Sequence, residues 1–528
     1  MADDLVALTI DGMPVSVPKG TLVIEAAKQS GVLVPHYCYH PGLAVAGVCR
    51  MCLVEIEKTP KLQIACSTQV AEGMVVHTQS LQAKAARMGV LELLLINHPL
   101  DCPICDQAGE CELQDFTFQE GRPASRFSPT YAKRFNPVED FGPDVLYVPN
   151  RCILCTRCVR FMEDVAQEPV LNISERGDRA YVGIHPDTRL DHPWAGNVVD
   201  LCPVGSLLSK DFLHRARAWE LDKTASVCTG CSQGCNVTLD TRDNVVVRIR
   251  PRPNVAVNSY FMCDHGRMNY RWLNRGDRIE APLVRQPDGS HRAVDWDEAI
   301  DHTAEILRGV GGTAVALVSP RASTEALFLA RALFADLDWT GSFQAVMGEE
   351  APLPGVPNLA LRAERAPNAT GAELLGYRRD YAGALAAVER AAVTLVLDDP
   401  QLATRPGGAL IYLGTVLPDD PGATVRRADL VLPITNVAEE EGTFVNRDGR
   451  VQRYWQAKPA PGMAQPAWWV LSEVLARLGR GPHLASAAEA FDRVAQDVEG
   501  FRGLSHVGLG FGGQVVPRRA GVGVGVPA

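Results

Sequence analysis

The second half of this 528-residue chain contains no cysteine, since all fifteen cysteines lie at or before Cys263. The chain also lacks a lysine- or arginine-rich run, and its net charge of −10 argues against nucleic-acid binding. No stretch approaches the roughly 20 apolar residues of a membrane span; the nearest candidate, around Val90 to Ile96, is far too short. No glycine-rich phosphate-binding loop follows a predicted strand. These absences indicate a globular protein whose chemistry is concentrated in the first half.

The N-terminus, Met1 to Asp4, has neither the basic start nor the apolar run of a signal peptide. We therefore expect a cytoplasmic protein, in which thiols stay reduced. The odd number of cysteines in such a compartment argues against a disulfide framework. Metal ligation is the interpretation that remains.

The cysteines, together with one histidine, form four sets of four candidate ligands, and no cysteine is left over. Each set has a tight pair or triplet and a more distant member, as expected when a short loop wraps an iron–sulfur cluster and another segment closes the site. The sets are Cys38, Cys49, Cys52 and Cys66 (set 1); His98, Cys102, Cys105 and Cys111 (set 2); Cys152, Cys155, Cys158 and Cys202 (set 3); and Cys228, Cys231, Cys235 and Cys263 (set 4).

Set 1 has the spacing C-x10-C-x2-C-x13-C, which is close to that of a plant-type two-iron ferredoxin with a longer first gap. It predicts a [2Fe–2S] cluster; the alternative of a zinc knuckle requires two CxxC pairs, and only one is present. Set 3 begins with the CxxCxxC run of bacterial ferredoxins, and Cys202-Pro203 supplies the distant fourth ligand. It predicts a [4Fe–4S] cluster.

In set 2, three cysteines need a fourth ligand, and His98 lies four residues before the first of them. A lone histidine before a proline is more often a surface or capping residue, but no spare cysteine exists elsewhere. We therefore predict a [4Fe–4S] cluster with His98 as a neutral ligand, which raises the reduction potential. Set 4 is less distinctive, because a structural zinc also uses such spacing. The three sets upstream favour a third [4Fe–4S] cluster there.

The length and the changing pattern predict a multi-domain α+β protein. Two strands around the turn at Asp11-Gly12 and a helix from Thr21 to Gly31 indicate a β-grasp fold. A helix is predicted over 82–97, an irregular linker over 117–150, alternating strands and helices after residue 295, and a loose tail from Arg519. The predicted domains are 1–80 (β-grasp, [2Fe–2S]), 81–120 (the histidine-and-cysteine segment of set 2), 121–220 (ferredoxin-like, [4Fe–4S]), 221–282 (the four-cysteine domain of set 4) and 283–528 (α/β domain).

Several short segments resemble the large iron–sulfur subunit in the peripheral arm of bacterial NADH–quinone oxidoreductase, respiratory complex I. The resemblance covers residues 1 to about 290 densely. The segments that carry it are Gly47-Val48-Cys49-Arg50-Met51-Cys52, Asn97-His98-Pro99-Leu100-Asp101-Cys102-Pro103, Cys111-Glu112-Leu113-Gln114, Arg151-Cys152-Ile153-Leu154-Cys155-Thr156-Arg157-Cys158-Val159-Arg160 and Asp200-Leu201-Cys202-Pro203-Val204-Gly205.

The remainder is similar to the molybdopterin-oxidoreductase fold attached to that subunit. The segments are Trp296-Asp297-Glu298-Ala299, Ala428-Asp429-Leu430-Val431-Leu432-Pro433 and Glu441-Gly442-Thr443-Phe444-Val445-Asn446. Far fewer residues separate them than in the family, so we expect a shortened domain without molybdenum or pterin. The resemblance also implies that set 4 is of the molybdopterin-oxidoreductase type.

The resemblance implies an electron-relay subunit without catalytic residues of its own. Electrons would pass from the NADH-oxidising flavin subunit through the first three clusters towards quinone-proximal subunits, with the fourth off the main path. The whole complex would translocate protons, and this chain would lie at the cytoplasmic side of the bacterial inner membrane, bound to it only through its partners.

Three alternatives remain open. A molybdopterin-dependent oxidoreductase such as formate dehydrogenase would need a metal-binding cysteine, selenocysteine, serine or aspartate in the pterin domain. The diaphorase subunit of an NAD-linked hydrogenase would usually end before the α/β domain. A zinc scaffold conflicts with the ferredoxin triplet of set 3.

Overall fold

The computed structural model describes residues 5–127, 133, 135–399, 402 and 406–517. The N-terminal Met1 to Asp4 and the predicted tail from Arg519 lie outside these residues. The chain forms two compact units. Unit 1 comprises Met1–Leu221 and Leu353–Pro357, and unit 2 comprises Asp222–Pro352 and Asn358–Ala528. The finer division into five domains stays a prediction.

Unit 1 consists of short strands and helices joined by long loops. Its strands are β1 (Leu5–Ile10), β2 (Met13–Pro18), β3 (Leu53–Ile56), β4 (Gln63–Ile64), β5 (Val75–His77), β6 (Glu139–Asp140), β7 (Val145–Tyr147), β8 (Leu171–Ser174), β9 (Tyr181–Ile184) and β10 (Leu207–Ser209). Its helices are α1 (Val23–Gln29), α2 (Leu81–Asn97), α3 (Glu112–Glu120), α4 (Arg157–Arg160) and α5 (Asn197–Leu201).

The first five strands form a β-grasp sheet in the order β2-β1-β5-β3-β4. Alternate residues of β1 are buried beneath α1, which is the period-two pattern of a half-exposed strand. The β1–β2 turn has Asp11 at φ 47° and Gly12 at φ 82°, as the predicted hairpin requires. Helix α1 begins at Val23 rather than at the predicted Thr21, whose hydroxyl donates to the Pro18 carbonyl at 2.6 Å.

Helix α2 agrees with the prediction at both ends. The Ser80 hydroxyl accepts the Ala83 N–H at 3.2 Å, and the helix stops at His98, immediately before Pro99. The prediction of an irregular linker over 117–150 is wrong at its ends, because α3 reaches Glu120 and β7 pairs with β6 and β10. A three-residue strand gives almost no periodic signal in sequence, which explains why β7 was not predicted.

Unit 2 contains the longer elements. Its strands are β11 (Asp222–Val227), β12 (Asn236–Arg242), β13 (Val245–Pro251), β14 (Leu283–Arg285), β15 (His291–Ala293), β16 (Thr313–Val318), β17 (Asp338–Phe343), β18 (Ala351–Pro352), β19 (Ala360–Leu361), β20 (Val393–Leu397), β21 (Ala409–Gly414), β22 (Leu430–Pro433), β23 (Gly442–Val445), β24 (Arg450–Tyr454) and β25 (Gln514–Val515). Its helices are α6 (Asp264–Met268), α7 (Trp296–Gly309), α8 (Thr324–Ala332), α9 (Ala369–Leu374), α10 (Tyr381–Val388), α11 (Ala467–Arg477) and α12 (Ala487–Asp497).

A seven-stranded sheet in the order β15-β14-β22-β21-β20-β16-β17 forms the centre of unit 2. The strands from β22 to β17 run parallel, and β14 pairs antiparallel at one side. Strand β16 shows how the sheet buries both faces: Ala316 packs in the layer with α8 and α11, and Leu317 packs in the opposite layer with α10. No helix in the described ranges is both long and apolar enough to cross a membrane.

Candidate metal centres

The four cysteines of set 1 come together beside the β-grasp sheet. Cys52 immediately precedes β3, and Cys66 follows β4. Cys38 hydrogen-bonds with Cys49 and Cys66, and Cys66 also hydrogen-bonds with Cys52. These shared hydrogen bonds, followed by burial, raise the pKa of Cys66. Four thiols in mutual contact form a donor set that fits the predicted two-iron cluster.

The loop of set 1 turns its backbone towards the sulfurs. Gly47 and Arg50 adopt left-handed conformations, at φ 64° and 58°. The N–H groups of Val48 and Met51 hydrogen-bond with the sulfurs of Cys38 and Cys49, respectively, which favours the thiolate form of both. The loop therefore supplies donors that stabilise thiolate, as expected around an iron–sulfur cluster.

The cysteines of set 2 follow the end of α2. Cys105 and Cys111 are buried, whereas Cys102 is exposed. Burial raises the pKa of Cys111 to about 12, and the neighbouring Cys105 thiolate adds to the shift. Gly205 covers this site so closely that a Cβ there would overlap the Cys105 Sγ. A glycine is required at this position because the sulfur occupies the space of a side chain.

His98 caps the C-terminus of α2 at the edge of set 2. Its Nδ1 is buried and has no hydrogen-bond partner among the described residues. Burial, together with the charges of Lys133 and Arg151, lowers the pKa of the imidazole to about 4. The ring is therefore neutral near pH 7, which is the form that binds metal. No described contact joins this ring to a thiol of its set, so its role as a ligand stays a prediction.

Set 3 surrounds a single cavity, and all four of its cysteines line that cavity. Leu154 and Thr156, which separate the cysteines of the triplet, adopt left-handed conformations at φ 53° and 63°. This path lets the loop curl around the cavity. The Leu154 N–H donates to the Cys152 Sγ at 3.4 Å. Burial raises the pKa of Cys155 to about 12 and that of Cys202 to about 11. Metal binding here must therefore displace protons.

Set 4 lies in unit 2, and all four of its cysteines are buried. Burial raises the pKa of Cys228 to about 12, and the charge of Cys231 adds to the shift. Burial, followed by the charges of Cys228, Cys231 and Cys263, also raises the pKa of Cys235. A Cβ at Gly266 would lie 2.8 Å from the Cys228 Sγ, so this position also has no room for a side chain. The four thiols converge as predicted.

Three guanidinium groups accompany set 4. The charge of Arg321 counters the rise in the pKa of Cys228, and Arg362 and Arg365 act in the same way on Cys231. Cationic side chains offset the accumulated negative charge of four thiolates, which is costly in a buried site. Their presence is consistent with a bound cluster of net negative charge.

No three His, Cys, Asp or Glu side chains in the described part of the chain are placed to hold one metal ion. The ligands of a four-iron cluster bind four different irons, so such a cluster does not require this arrangement.

Two residues to which the sequence assigned no role connect sets of unit 1. The Arg160 guanidinium donates to the carbonyl oxygens of Cys38 at 2.5 Å and of Cys155 at 3.4 Å, and thus joins set 1 to set 3. Tyr37 is fully buried, and its pKa is raised by burial and by charges that include Cys111 and Cys49. It therefore lies between set 2 and set 1. Arg160 stands within the triplet segment, but spacing alone does not reveal a contact with Cys38.

Unit 2 also contains a cavity of about 210 Å³ at the carboxyl ends of its parallel strands. Asp398, Thr415 and Thr435, which follow β20, β21 and β22, line it together with Arg278 and Arg321. Ligands of open α/β sheets bind at this edge. The cavity is smaller than the roughly 300–1,000 Å³ of typical small-molecule sites, and none of its lining residues is a cysteine.

Five family models match the chain in succession, and together they confirm the predicted multi-domain α+β fold class. They are a 2Fe-2S iron-sulfur cluster binding domain (residues 3–81), the NADH-ubiquinone oxidoreductase-G iron-sulfur binding region (87–126), the ferredoxin-like domain of NADH-quinone oxidoreductase subunit 3 (142–208), the molybdopterin oxidoreductase Fe4S4 domain (221–275) and molybdopterin oxidoreductase (421–477).

Individual relatives match the N-terminal part of the chain. An NADH-quinone oxidoreductase subunit of Rickettsia bellii is 41% identical over 62% of this chain and 47% of its own length. The mitochondrial NADH-ubiquinone oxidoreductase 78 kDa subunit of Neurospora crassa is 44% identical over 61% of this chain and 43% of its own. A solved structure of NAD+-reducing [NiFe]-hydrogenase in the H2-reduced state is 32% identical, with coverage of 40% of this chain and 90% of that one and a TM-score of 0.36.

The chain spans about half the length of the curated relatives it matches. The predicted resemblance is nevertheless confirmed: the matched part of the chain is homologous to the large iron–sulfur subunits of NADH–quinone oxidoreductases.

Proposed function

We propose that the chain is an electron-relay subunit of an NADH–quinone oxidoreductase. Its unit 1 accepts electrons from an NADH-oxidising flavin subunit and passes them towards quinone-proximal subunits, and the whole complex couples this transfer to proton translocation. The observation that carries the proposal is the contact of Arg160 with both Cys38 and Cys155. One side chain touches two ligand sets, and electron tunnelling becomes rapidly slower with distance.

The proposal assigns one [2Fe–2S] cluster to set 1 and one [4Fe–4S] cluster to each other set. When bound, such a cluster takes up and releases one electron without making or breaking a substrate bond. The residues of the chain hold the iron, exclude water and direct hydrogen bonds at the sulfurs. The ligands are the sixteen residues of the four sets, and the chain contributes no catalytic residue.

His98 is proposed as the fourth ligand of set 2. Its buried Nδ1 lacks a partner among the described residues, its ring is neutral near pH 7, and it lies four residues before Cys102. A buried nitrogen without a hydrogen bond is costly, and a bond to iron would remove that cost.

We further propose that the chain binds the flavin-bearing and quinone-proximal subunits of the complex. In that assembly it lies peripherally on the cytoplasmic side of the bacterial inner membrane and contacts lipid only through its partners. The subunit names of the relatives support this proposal. The buried guanidinium groups beside set 4 support a fourth cluster rather than a neutral zinc site.

A molybdopterin-dependent oxidoreductase such as formate dehydrogenase is the alternative. The cavity of unit 2 counts against it, because about 210 Å³ is little room for a pterin dinucleotide and no cysteine lines the wall. We therefore propose that the C-terminal domain is shortened and binds neither molybdenum nor pterin.

The test uses the assembled native complex in its membrane, frozen after anaerobic addition of one reductant. NADH should reduce the clusters of this chain, which electron paramagnetic resonance (EPR) detects, and formate should leave them oxidised. The Arg160→Gln complex should show the same cluster content with slower reduction of set 3. Reduction by formate but not by NADH would replace the proposal with the molybdoenzyme.

A further inference from the structure

Tyr147 is held rigidly beside set 3. It ends strand β7, where it pairs with Leu207 on one side and with Glu139 on the other. Its side chain is fully buried, and its ring stacks on Phe141 with a centroid separation of 4.5 Å. Both the backbone and the ring of Tyr147 are thus fixed, so the hydroxyl has a defined direction.

The hydroxyl of Tyr147 makes two hydrogen bonds. It accepts the N–H of Val182 at 3.2 Å, and it also hydrogen-bonds with the side chain of Cys152. Tyr147 itself lines the cavity around which the four cysteines of set 3 are arranged. Because strand β9 supplies the donor from Val182, the phenol oxygen uses a lone pair for that bond and keeps its own proton available.

The proton of the second hydrogen bond must belong to Tyr147. An iron-bound cysteine is a thiolate without a proton, so its sulfur can only accept. A phenol with a raised pKa stays protonated and can only donate here. Burial and the neighbouring Cys152 charge cause that rise, so the donor state holds throughout the physiological pH range.

We propose that Tyr147 is a positioning residue that donates an O–H···S hydrogen bond to Cys152 and raises the reduction potential of the set 3 cluster. The inference rests on the proposed ligands of set 3 and deepens the proposed relay. Reduction adds negative charge to the cluster and its sulfurs, so a donor at sulfur stabilises the reduced state more than the oxidised one. Removal of the donor therefore disfavours reduction.

Tyr147 differs from the other donors around this site. The sulfur of Cys202 receives backbone N–H groups from Val204, Ser206 and Leu207, which a substitution cannot remove. The phenol can be removed by deleting one oxygen, because Tyr147→Phe keeps the ring and its stacking on Phe141. The chain thus offers a single-atom test of how strongly one hydrogen bond sets the potential of this centre.

The experiment is an anaerobic redox titration of the full chain in its complex, monitored by EPR. The signal of set 3 is identified by its loss in Cys155→Ser. Tyr147→Phe should retain this signal and lower its midpoint, with a decrease of up to about tenfold in the equilibrium constant for one-electron reduction, or about 59 mV. Tyr181→Phe removes the same atom from the neighbouring strand β9 and should leave the midpoint unchanged.

An unchanged midpoint in Tyr147→Phe would overturn the inference. A missing set 3 signal in the unmodified protein would instead overturn the proposed ligands. If Tyr147→Phe does not fold, 3,5-difluorotyrosine at position 147 keeps the shape and makes a stronger donor. It should shift the midpoint upwards, and a downward or absent shift would contradict the hydrogen bond.

Discussion

The two units bury their interiors in different ways. Unit 2 places a seven-stranded sheet between two apolar layers, in which Ala316 and Leu317 are both fully buried on opposite faces. Beyond its β-grasp sheet, unit 1 has strands of two to four residues, and buried thiols occupy much of the interior near sets 2 and 3. The apolar layers can stabilise unit 2 without a ligand. In unit 1 the clusters must replace part of the missing hydrophobic core.

Removal of iron should separate the two units most clearly. Without clusters, the buried thiols of sets 2 and 3 remain as unbonded polar groups, and the loops around them lose their attachment. Hydrogen exchange of the full chain, with and without iron, should show lost protection across β6 to β10. Protection of β16, β20 and β21 should change little. Equal loss in both groups of strands would contradict the proposed difference.

The next largest effect is expected from a methyl group at Gly205. The Cβ of Gly205→Ala would overlap the Cys105 Sγ, so the sulfur or the backbone must move. We expect loss of the set 2 cluster and about four irons fewer per chain. Gly89→Ala is the matched control, because a Cβ there meets no atom within 4 Å and the residue lies within α2. It should retain all iron and stabilise the helix by about 1 kcal/mol.

Substitutions of His98 should have a smaller and more graded effect. His98→Cys replaces a neutral ligand with an anionic one, so the cluster should remain and its potential should fall. His98→Ala should leave one iron open to water and make the cluster labile to oxygen. A redox titration with EPR detection measures both results. If the signal and midpoint of His98→Ala match those of the unmodified protein, His98 is not a ligand.

The smallest expected effect is a pH dependence of unit 2. Burial raises the pKa of Glu440 to about 7 and that of Glu325 to about 8, from ordinary values near 4.5. Between pH 4.5 and 8 the folded state holds protons that the unfolded state releases. The free energy of unfolding should therefore fall by a few kcal/mol as pH rises through this window.

Denaturant unfolding of unit 2 in the full chain, monitored at several pH values, tests this dependence. Glu325→Gln with Glu440→Gln should flatten the slope, whereas Glu349→Gln at an exposed position should not. A stability that rises with pH across this window would show that neither buried carboxyl controls it.

The sequence predicted much of this protein because cysteine spacing and strand periodicity are local signals. The β-grasp hairpin at Asp11-Gly12, the end of α2 at His98 and the strands of the parallel sheet all follow from such signals. The contacts of Arg160 and Tyr147 depend on residues distant in sequence, Cys38 and Val182, which only the fold brings near. The start of α1 was misplaced because the Thr21 hydroxyl bonds backwards to Pro18 instead of capping the helix.

The metal content of the anaerobically reconstituted full chain, measured beside the EPR spectrum of the dithionite-reduced protein, tests the central claim most directly. Four loaded sets predict about fourteen irons per chain, one [2Fe–2S] and three [4Fe–4S] signals, and essentially no zinc or molybdenum. About ten irons with one zinc would show that the Cys228 set is structural. Stoichiometric molybdenum in the native protein, or iron too low for the ferredoxin-type sets of unit 1, would contradict the proposed relay.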